Sequence, residues 1–345
     1  MRPKAWSTGM LRVAGHEVSQ LLFEGRSTVV YRAHRLADAR PVIIKALRQT
    51  KPPPALLVRL RREYELLRSL ALPGVITAYG LEEHDHTWMV FLEDFGGTSL
   101  DRLLASGPLA VAQVLDIALA VSETLGHIHE RGIIHKDLTP SNIAYNPTTG
   151  EVKVIDFGIS TRLAQERPGF RNVQTAEGTL AYIAPEQTGR MNRYVDYRAD
   201  FYTLGATLYH LATGQLPFTE SDPLGLIHCH IARQPLVPYL RHEAVPVGLS
   251  DIVMKLMTKD VEARYQSAAG LHADLVHCAA AWREHGEIPR FDLGRRDQPL
   301  HFRVPQRLYA REIEMGQLLA AFARVAGGAA EALFVSGPAG IGKSA

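Results

Sequence analysis

The sequence predicts an α+β protein of two lobes, a small β-rich one followed by a large helical one, with the start of an α/β unit after them. Three observations predict this. Short β-branched runs fill residues 17 to 92, apolar residues recur at helical spacing from Leu100 onward, and Leu333-Phe334-Val335 leads into a glycine-rich loop. At 345 residues the chain exceeds one average domain and suits one large unit plus a remainder.

In the first lobe, Val29-Val30-Tyr31, Val42-Ile43-Ile44 and Thr87 to Leu92 read as strands. The last follows the turn-like Glu82-Glu83-His84-Asp85-His86. One helix interrupts them from about Ala55 to Leu70, its apolar stripe being Leu57, Leu60, Tyr64 and Leu67. In the second lobe Val114, Ala118, Val121, Leu125 and Ile128 form one stripe. Phe201, Leu204, Leu208 and Leu211 form another, closed by Gly214 as C-cap. Between these helices Ile143-Ala144-Tyr145 and Val152-Lys153-Val154-Ile155 flank Asn146-Pro147-Thr148-Thr149-Gly150, a hairpin. Residues 286–311, rich in Gly, Pro, Arg and Asp with little periodicity, read as a linker. Then come a helix over Glu312 to Ala326, a strand over Ala332 to Ser336 and the loop Gly337 to Ser344.

Composition is that of a globular protein, 46% hydrophobic and 21% charged, which excludes a disordered or fibrous chain. The net charge of +2 is spread without a basic run, so no nucleic-acid partner is expected; Arg59, Arg61 and Arg62 read as the solvated face of a helix. Two cysteines, Cys229 and Cys278, build no disulfide framework and point to a reducing cytoplasm. No run of 18 apolar residues occurs and the N-terminus lacks an apolar signal core, so no membrane segment is expected. His228-Cys229-His230 has no second ligand pair at metal spacing.

On the helix from Ala55 to Leu70, Glu63 shares a face with Leu60 and Leu67. A carboxylate on an apolar face is costly to bury without a cation. Lys45, at the end of an apolar strand, is the candidate partner, a partly exposed Glu63 being the alternative. Further on, Asp137 and Asn142 stand five residues apart before the hairpin, and Asp156 follows it. Three oxygen-bearing groups around one hairpin suit magnesium, a hard cation that bridges phosphates.

These residues resemble the eukaryotic-type protein kinases over about 17–285, the first lobe being 17–92 and the second 95–285. The resemblance implies that Lys45 grips the nucleotide phosphates with Glu63 as its helix partner, that Asp137 is the catalytic base, and that Asn142 and Asp156, the latter in Asp156-Phe157-Gly158, bind magnesium. It implies further that Ala184-Pro185-Glu186 ends the activation segment, that Arg264 pairs with Glu186, and that Asp200 is structural. Glu93-Asp94-Phe95 falls at the hinge, where Glu93 and Phe95 offer backbone to adenine. Gly25 and Val30 cover the nucleotide; Ile43 roofs the base and Ala144 floors it, unless the register puts Ile43 into the lobe core. Family members usually have the small residue above and the large one below, so this chain reverses the pair. The glycine-rich loop keeps one of three usual glycines, Gly25. Lys136 replaces an arginine, and Thr139 replaces a lysine that stands near the transferred phosphoryl group.

Gly337-Pro338-Ala339-Gly340-Ile341-Gly342-Lys343-Ser344 is a complete phosphate-binding loop after an apolar run. Gly337 and Gly342 shape the cradle, Lys343 meets the outer phosphates and Ser344 meets magnesium. With Arg307 to Glu312 and Gly189-Arg190-Met191-Asn192-Arg193, it resembles the N-terminal part of large bacterial proteins joining a kinase domain, an ATPase and often a sensor histidine kinase. Residues 312–345 are then the start of a P-loop ATPase domain. The function expected is an ATP- and magnesium-dependent serine/threonine protein kinase, weakened by Thr139, whose protein substrate includes itself. The alternative is a pseudokinase that serves a downstream ATPase as a nucleotide-binding input module.

Overall fold

The computed structural model describes residues 11–162, 179–191, 193–299 and 312–328, with positions 330–332, 334 and 336. They fall into two units that part between Leu300 and His301. The first begins with β1 (His16–Glu24), β2 (Thr28–Arg35), β3 (Arg40–Leu47), α1 (Pro54–Leu70), β4 (Ala78–His84) and β5 (Thr87–Glu93). The strands form one antiparallel sheet in the order β1-β2-β3-β5-β4. Between β4 and β5 the turn is tighter than the sequence suggested. Glu82, Glu83 and His84 belong to the strand, and Asp85 and His86 alone turn the chain, both at positive φ, as a two-residue hairpin loop requires.

Alternation along β3 sorts its side chains to two faces. Val42, Ile44 and Ala46 join Val29, Tyr31, Ala33, Met89 and Phe91 in a cluster on one face of the sheet. Ile43 and Leu47 join the cluster that α1 closes with Leu60, Leu67 and Leu70. Each such leucine stabilises the docking of α1 by about 1.5–3 kcal/mol. Glu63 is buried on that same face of the helix.

The helical lobe continues with β6 (Thr98–Ser99), α2 (Leu100–Leu104), α3 (Val111–Glu130), β7 (Ile133–Ile134), β8 (Ile143–Tyr145), β9 (Val152–Val154) and β10 (Thr161–Arg162). After the undescribed residues 163–178 come α4 (Arg198–Thr213), α5 (Pro223–Ala232), α6 (Pro238–Arg241), α7 (Val247–Leu256) and α8 (Ala268–His285). β8 lies between β6 and β9 in a small antiparallel sheet. Nearly every side chain of α4 is buried, so it is the axis of the lobe. Among the described residues α3 is the one helix long and apolar enough, by length and composition, to cross a membrane. Here its apolar stripe, from Val114 to Ile128, is the packed core against α8.

The aperiodic stretch read as a linker is packed over its described half, 286–299. Ile288 is buried and its carbonyl accepts from Gly248 N–H at 2.9 Å. Asp297 accepts from Gln266 N–H at 2.7 Å and from the Ser267 N–H and hydroxyl at 2.9 and 2.8 Å, at the start of α8. Composition marks such a segment as irregular, but irregular backbone can be as well satisfied as a helix. The second unit contains α9 (Glu312–Ala326). The strand expected over Ala332–Ser336 is not formed at its described positions 332, 334 and 336. A strand needs a ladder partner, and no described residue pairs with it. Residues 300–311, with Arg307 to Arg311 of the expected ATPase entry, and Gly337, Gly342, Lys343 and Ser344 lie outside the described residues, as does Asn192.

Candidate active site

A cavity of about 350 Å³ lies between the sheet and the helical lobe. Its apolar walls are Val30 and Ile43 from the sheet, Leu92 at the end of β5, Ile76, Ala144 on β8 and Ile155. Ile43 and Ala144 therefore face one space, because β3 directs Val42 and Ile44 to the sheet's other face. Glu93 and Phe95 line it at the hinge, and Lys45, Asn142 and Asp156 line its far end. Gly25, Glu63 and Asp137 are not among the lining residues.

At that far end the charges are arranged by three elements. Lys45 Nζ donates to Glu63 Oε1 at 2.6 Å and to Asp156 Oδ2 at 3.1 Å. Burial works against the Lys45 ammonium, but the Asp156 and Glu63 carboxylates outweigh it and lift its pKa above the ordinary lysine value. It is a cation at any physiological pH. Burial also pushes the Glu63 carboxyl up, with Lys45 opposing. Burial alone would raise the Asp156 carboxyl too, yet Lys45 and the Gly158 N–H, 2.7 Å from Oδ1, hold it below the usual range. An ionised aspartate beside a buried ammonium results.

The loop from His135 to Asn142 owes its shape to Asp200. The Asp200 carboxylate accepts from the backbone N–H of His135 at 2.9 Å and of Lys136 at 2.6 Å, and lies 2.9 Å from His129 Nε2. Gln187 Nε2 donates to the Lys136 carbonyl at 2.9 Å. Lys136 has φ +71°, uncommon for a residue with a Cβ. Such strain persists where surroundings over-determine the backbone, as these bonds do. The consequence reaches Asp137: Asn142 Nδ2 donates to both its carbonyl and its Oδ2 at 2.9 Å. Burial holds the His135 imidazole below its usual pKa, hence neutral, edge-on to Phe157. Thr139 is buried, its hydroxyl 2.9 Å from Ser141 Oγ, so no cation stands at that position. Arg264 donates to both Glu186 oxygens at 2.6 and 2.9 Å, with both residues buried.

Gly25 closes the β1–β2 turn, its N–H donating to Thr28 O at 2.9 Å and its carbonyl accepting from Arg48 at 3.0 Å. The hinge is fastened to both lobes by side chains that sequence reasoning passed over. Arg32 Nε donates to Asp94 at 2.6 Å, Lys153 Nζ to Glu93 at 2.8 Å, and Asn146 Nδ2 to the Phe95 carbonyl at 2.7 Å. Burial would raise the Glu93 carboxyl, but Lys153 and Thr77 hold it down. A signal existed for Lys153: a lysine between two valines of a short strand must face the opposite side from them. None existed for Asn146, which reads as an ordinary turn residue. Arg102 bonds the Leu22 carbonyl across the mouth of the cleft.

Two lobes around an apolar slot, with a lysine paired to a helix glutamate, an Asp–Asn loop and an Asp-Phe-Gly turn at its end, are accompanied by a decisive comparison. The family model for the protein kinase domain matches residues 16–276. The chain belongs to the protein kinase family. This kinase domain is similar to the serine/threonine-protein kinase PknB of Mycobacterium tuberculosis, 32% identical over 267 residues, which are 76% of this chain and 42% of the relative. It is also similar to a probable serine/threonine-protein kinase of Streptomyces coelicolor, 32% identical over 271 residues, 76% of this chain and 40% of that one. A probable serine/threonine-protein kinase of Clostridium perfringens is 31% identical over 262 residues, 75% of this chain and 38% of the relative. The chain thus spans about two fifths of the length of the relatives it matches.

Proposed function

We propose that the chain is an ATP- and magnesium-dependent protein kinase domain that phosphorylates Ser or Thr of protein substrates, itself included. The observation that carries this reading is that Lys45, Asn142 and Asp156 line one end of an apolar slot, with Glu63 bonded to Lys45 and Asp137 to Asn142. The slot suits a purine: apolar walls above and below, with hinge backbone at one edge. Its far end suits a triphosphate with its metal, since a buried cation faces an ionised carboxylate and a side-chain amide oxygen. Asn142 and Asp156 would hold magnesium, which would supply neutralisation of the phosphate charge there.

The roles of the chain's own groups follow. Lys45, held by Glu63, presents its ammonium to phosphate oxygens, and Asp156 and Asn142 offer oxygens to the metal. Val30, Ile43 and Ala144 enclose the base, Glu93 and Phe95 offer backbone to it, and Gly25 covers the phosphates. The Asp137 carboxylate, oriented by Asn142, receives the acceptor hydroxyl's proton. The domain is assigned residues 17–285, followed by a P-loop ATPase beginning at about 312, in a cytoplasmic bacterial signalling protein that joins kinase, ATPase and sensor modules. The loop motif at 337–344 supports that context.

Phosphotransfer from labelled ATP to the chain itself or to a generic protein tests the reading. Asp137→Asn is the informative variant, because it keeps the shape of a half-buried side chain; removing Lys45 would strand two carboxylates and cost about 3–5 kcal/mol of stability. Loss of general-base action lowers the rate by about 10²–10⁴. Wild-type protein that binds ATP and transfers nothing is a pseudokinase input module instead.

A further inference from the structure

We infer that Arg59 is a positioning residue that ties α1 to the Asp156-Phe157-Gly158 turn, so that Glu63 and Asp156 are held in place together. The inference rests on the kinase reading above. Arg59 precedes Glu63 by one turn on α1, and so projects from the same side of the helix. Its Nε donates to the Gly158 carbonyl at 2.8 Å, across 99 residues of sequence. The N–H of that same glycine donates to Asp156 Oδ1 at 2.7 Å. Arg59 therefore grips the outside of the turn whose inside orients the Asp156 carboxylate.

The contact is built into the backbone. A Cβ at Gly158 would stand 3.0 Å from Asp156 Oδ1 and 3.1 and 3.2 Å from Arg59 Nη2 and Nε, so a side chain there would displace the carboxylate and the guanidinium by a few tenths of an ångström. A closed circuit results. From α1, Glu63 meets Lys45 at 2.6 Å, Lys45 meets Asp156 at 3.1 Å, Asp156 is joined through its turn to Gly158, and Gly158 returns to α1 through Arg59. Two cations alternate with two carboxylates around it. With Arg59 absent, the hydrogen-bonded link from α1 to the turn runs through the shared Lys45, and the turn is freer to shift relative to Glu63. The neighbouring arginines are engaged elsewhere: Arg61 lies over the Trp88 ring and Arg68 over Tyr64. Arg59 is exposed, so its loss leaves the core intact.

Wild type, Arg59→Ala, Arg59→Lys and the control Arg61→Ala are compared by calorimetry with ATP, with and without magnesium, and by amide hydrogen exchange over residues 156–160 of the free protein. Arg59→Ala is expected to weaken ATP binding about tenfold in magnesium, the size of a lost hydrogen bond to a charged group, and less than twofold without it. Exchange over 156–160 should accelerate while the melting temperature holds. Arg59→Lys, which keeps the charge and loses the planar fork, should recover part of the magnesium-dependent binding. An Arg59→Ala protein that matches Arg61→Ala in both magnesium-dependent affinity and exchange would overturn the inference. Neither measurement needs phosphotransfer, so an inactive wild type would defeat the kinase reading and leave Arg59 to be decided on its own. Should the wild type fail to bind ATP, unchanged exchange over 156–160 would still overturn it.

Discussion

The reversed pair at Ile43 and Ala144 shows how a single side chain can mislead when read alone. An isoleucine above the base suggests a blocked slot. The structure lines one cavity with both it and an alanine, so a base bound in the proposed slot would find the volume around it roughly kept. Volume-conserving exchanges in packed sites usually cost under about 1.5 kcal/mol, whereas overfilling costs about 1–3 kcal/mol. Ala144→Leu alone should therefore weaken ATP binding by about tenfold or more. Ile43→Ala alone should weaken it by less, and the double variant should return close to wild type. Calorimetry on the three proteins decides it; strictly additive losses would mean that the two residues do not share the base.

At the scale of elements, the same substitution should have opposite effects in two helices. Gly126 lies inside α3, and a Cβ there would meet only the Ala268 Cβ at 3.8 Å. Alanine should be accommodated and stabilise the fold by about 0.5–1 kcal/mol, since glycine is a poor helix former. Gly270, in the first turn of α8, lies against the packed tail: a Cβ would fall 2.4 Å from Asp297 Oδ1 and 2.6 Å from its Cα. Gly270→Ala should cost about 1–3 kcal/mol by forcing the tail away. Thermal melts of the two variants should move in opposite directions, and equal shifts would sink the claim that residues 286–299 belong to the helical lobe. Periodicity located α1, α3, α4 and α9 and the β8–β9 hairpin, because each has an apolar face repeating at a fixed spacing. It could not locate the tail. Ile288 and Asp297 are held by contacts with residues 40 and 30 positions away, Gly248 and Ser267, and distant partners leave no local pattern.

For the whole molecule, buried neutral histidines set the direction of its pH response. Burial pushes His230 from an ordinary 6.5 down to about 3, and holds His135 and His210 below 6.5 as well. In the unfolded chain these imidazoles take up protons below about pH 6.5. The unfolded state then binds more protons than the native one, so stability is full above pH 6.5 and declines as pH falls from there. Below about 4.5 the carboxyls of Glu262, Glu93 and Asp156, all held down by cations in the fold, add to the loss in the same direction. The melting temperature should be level near pH 7 and drop steadily toward pH 4, with His230→Gln giving a shallower slope. A melting temperature that stays constant down to pH 4.5 would show the histidines to be solvated.

The sequence by itself determined the two-lobed architecture, the place of Glu63 on the apolar face of its helix and the order of Asp137, Asn142 and Asp156 around one hairpin. Each of these is encoded locally, by strand alternation, helical spacing or a motif whose residues are close in sequence. Only the tertiary structure decided which side chains fasten the hinge, that Ile43 and Ala144 face one cavity, and that Arg59 reaches Gly158. Arg32 with Asp94, Lys153 with Glu93, and Arg59 with Gly158 join residues 62, 60 and 99 apart. A long basic side chain at the surface has the same signature in sequence whether it is solvated or bonded across a cleft. Its partner is chosen when the two lobes close on each other.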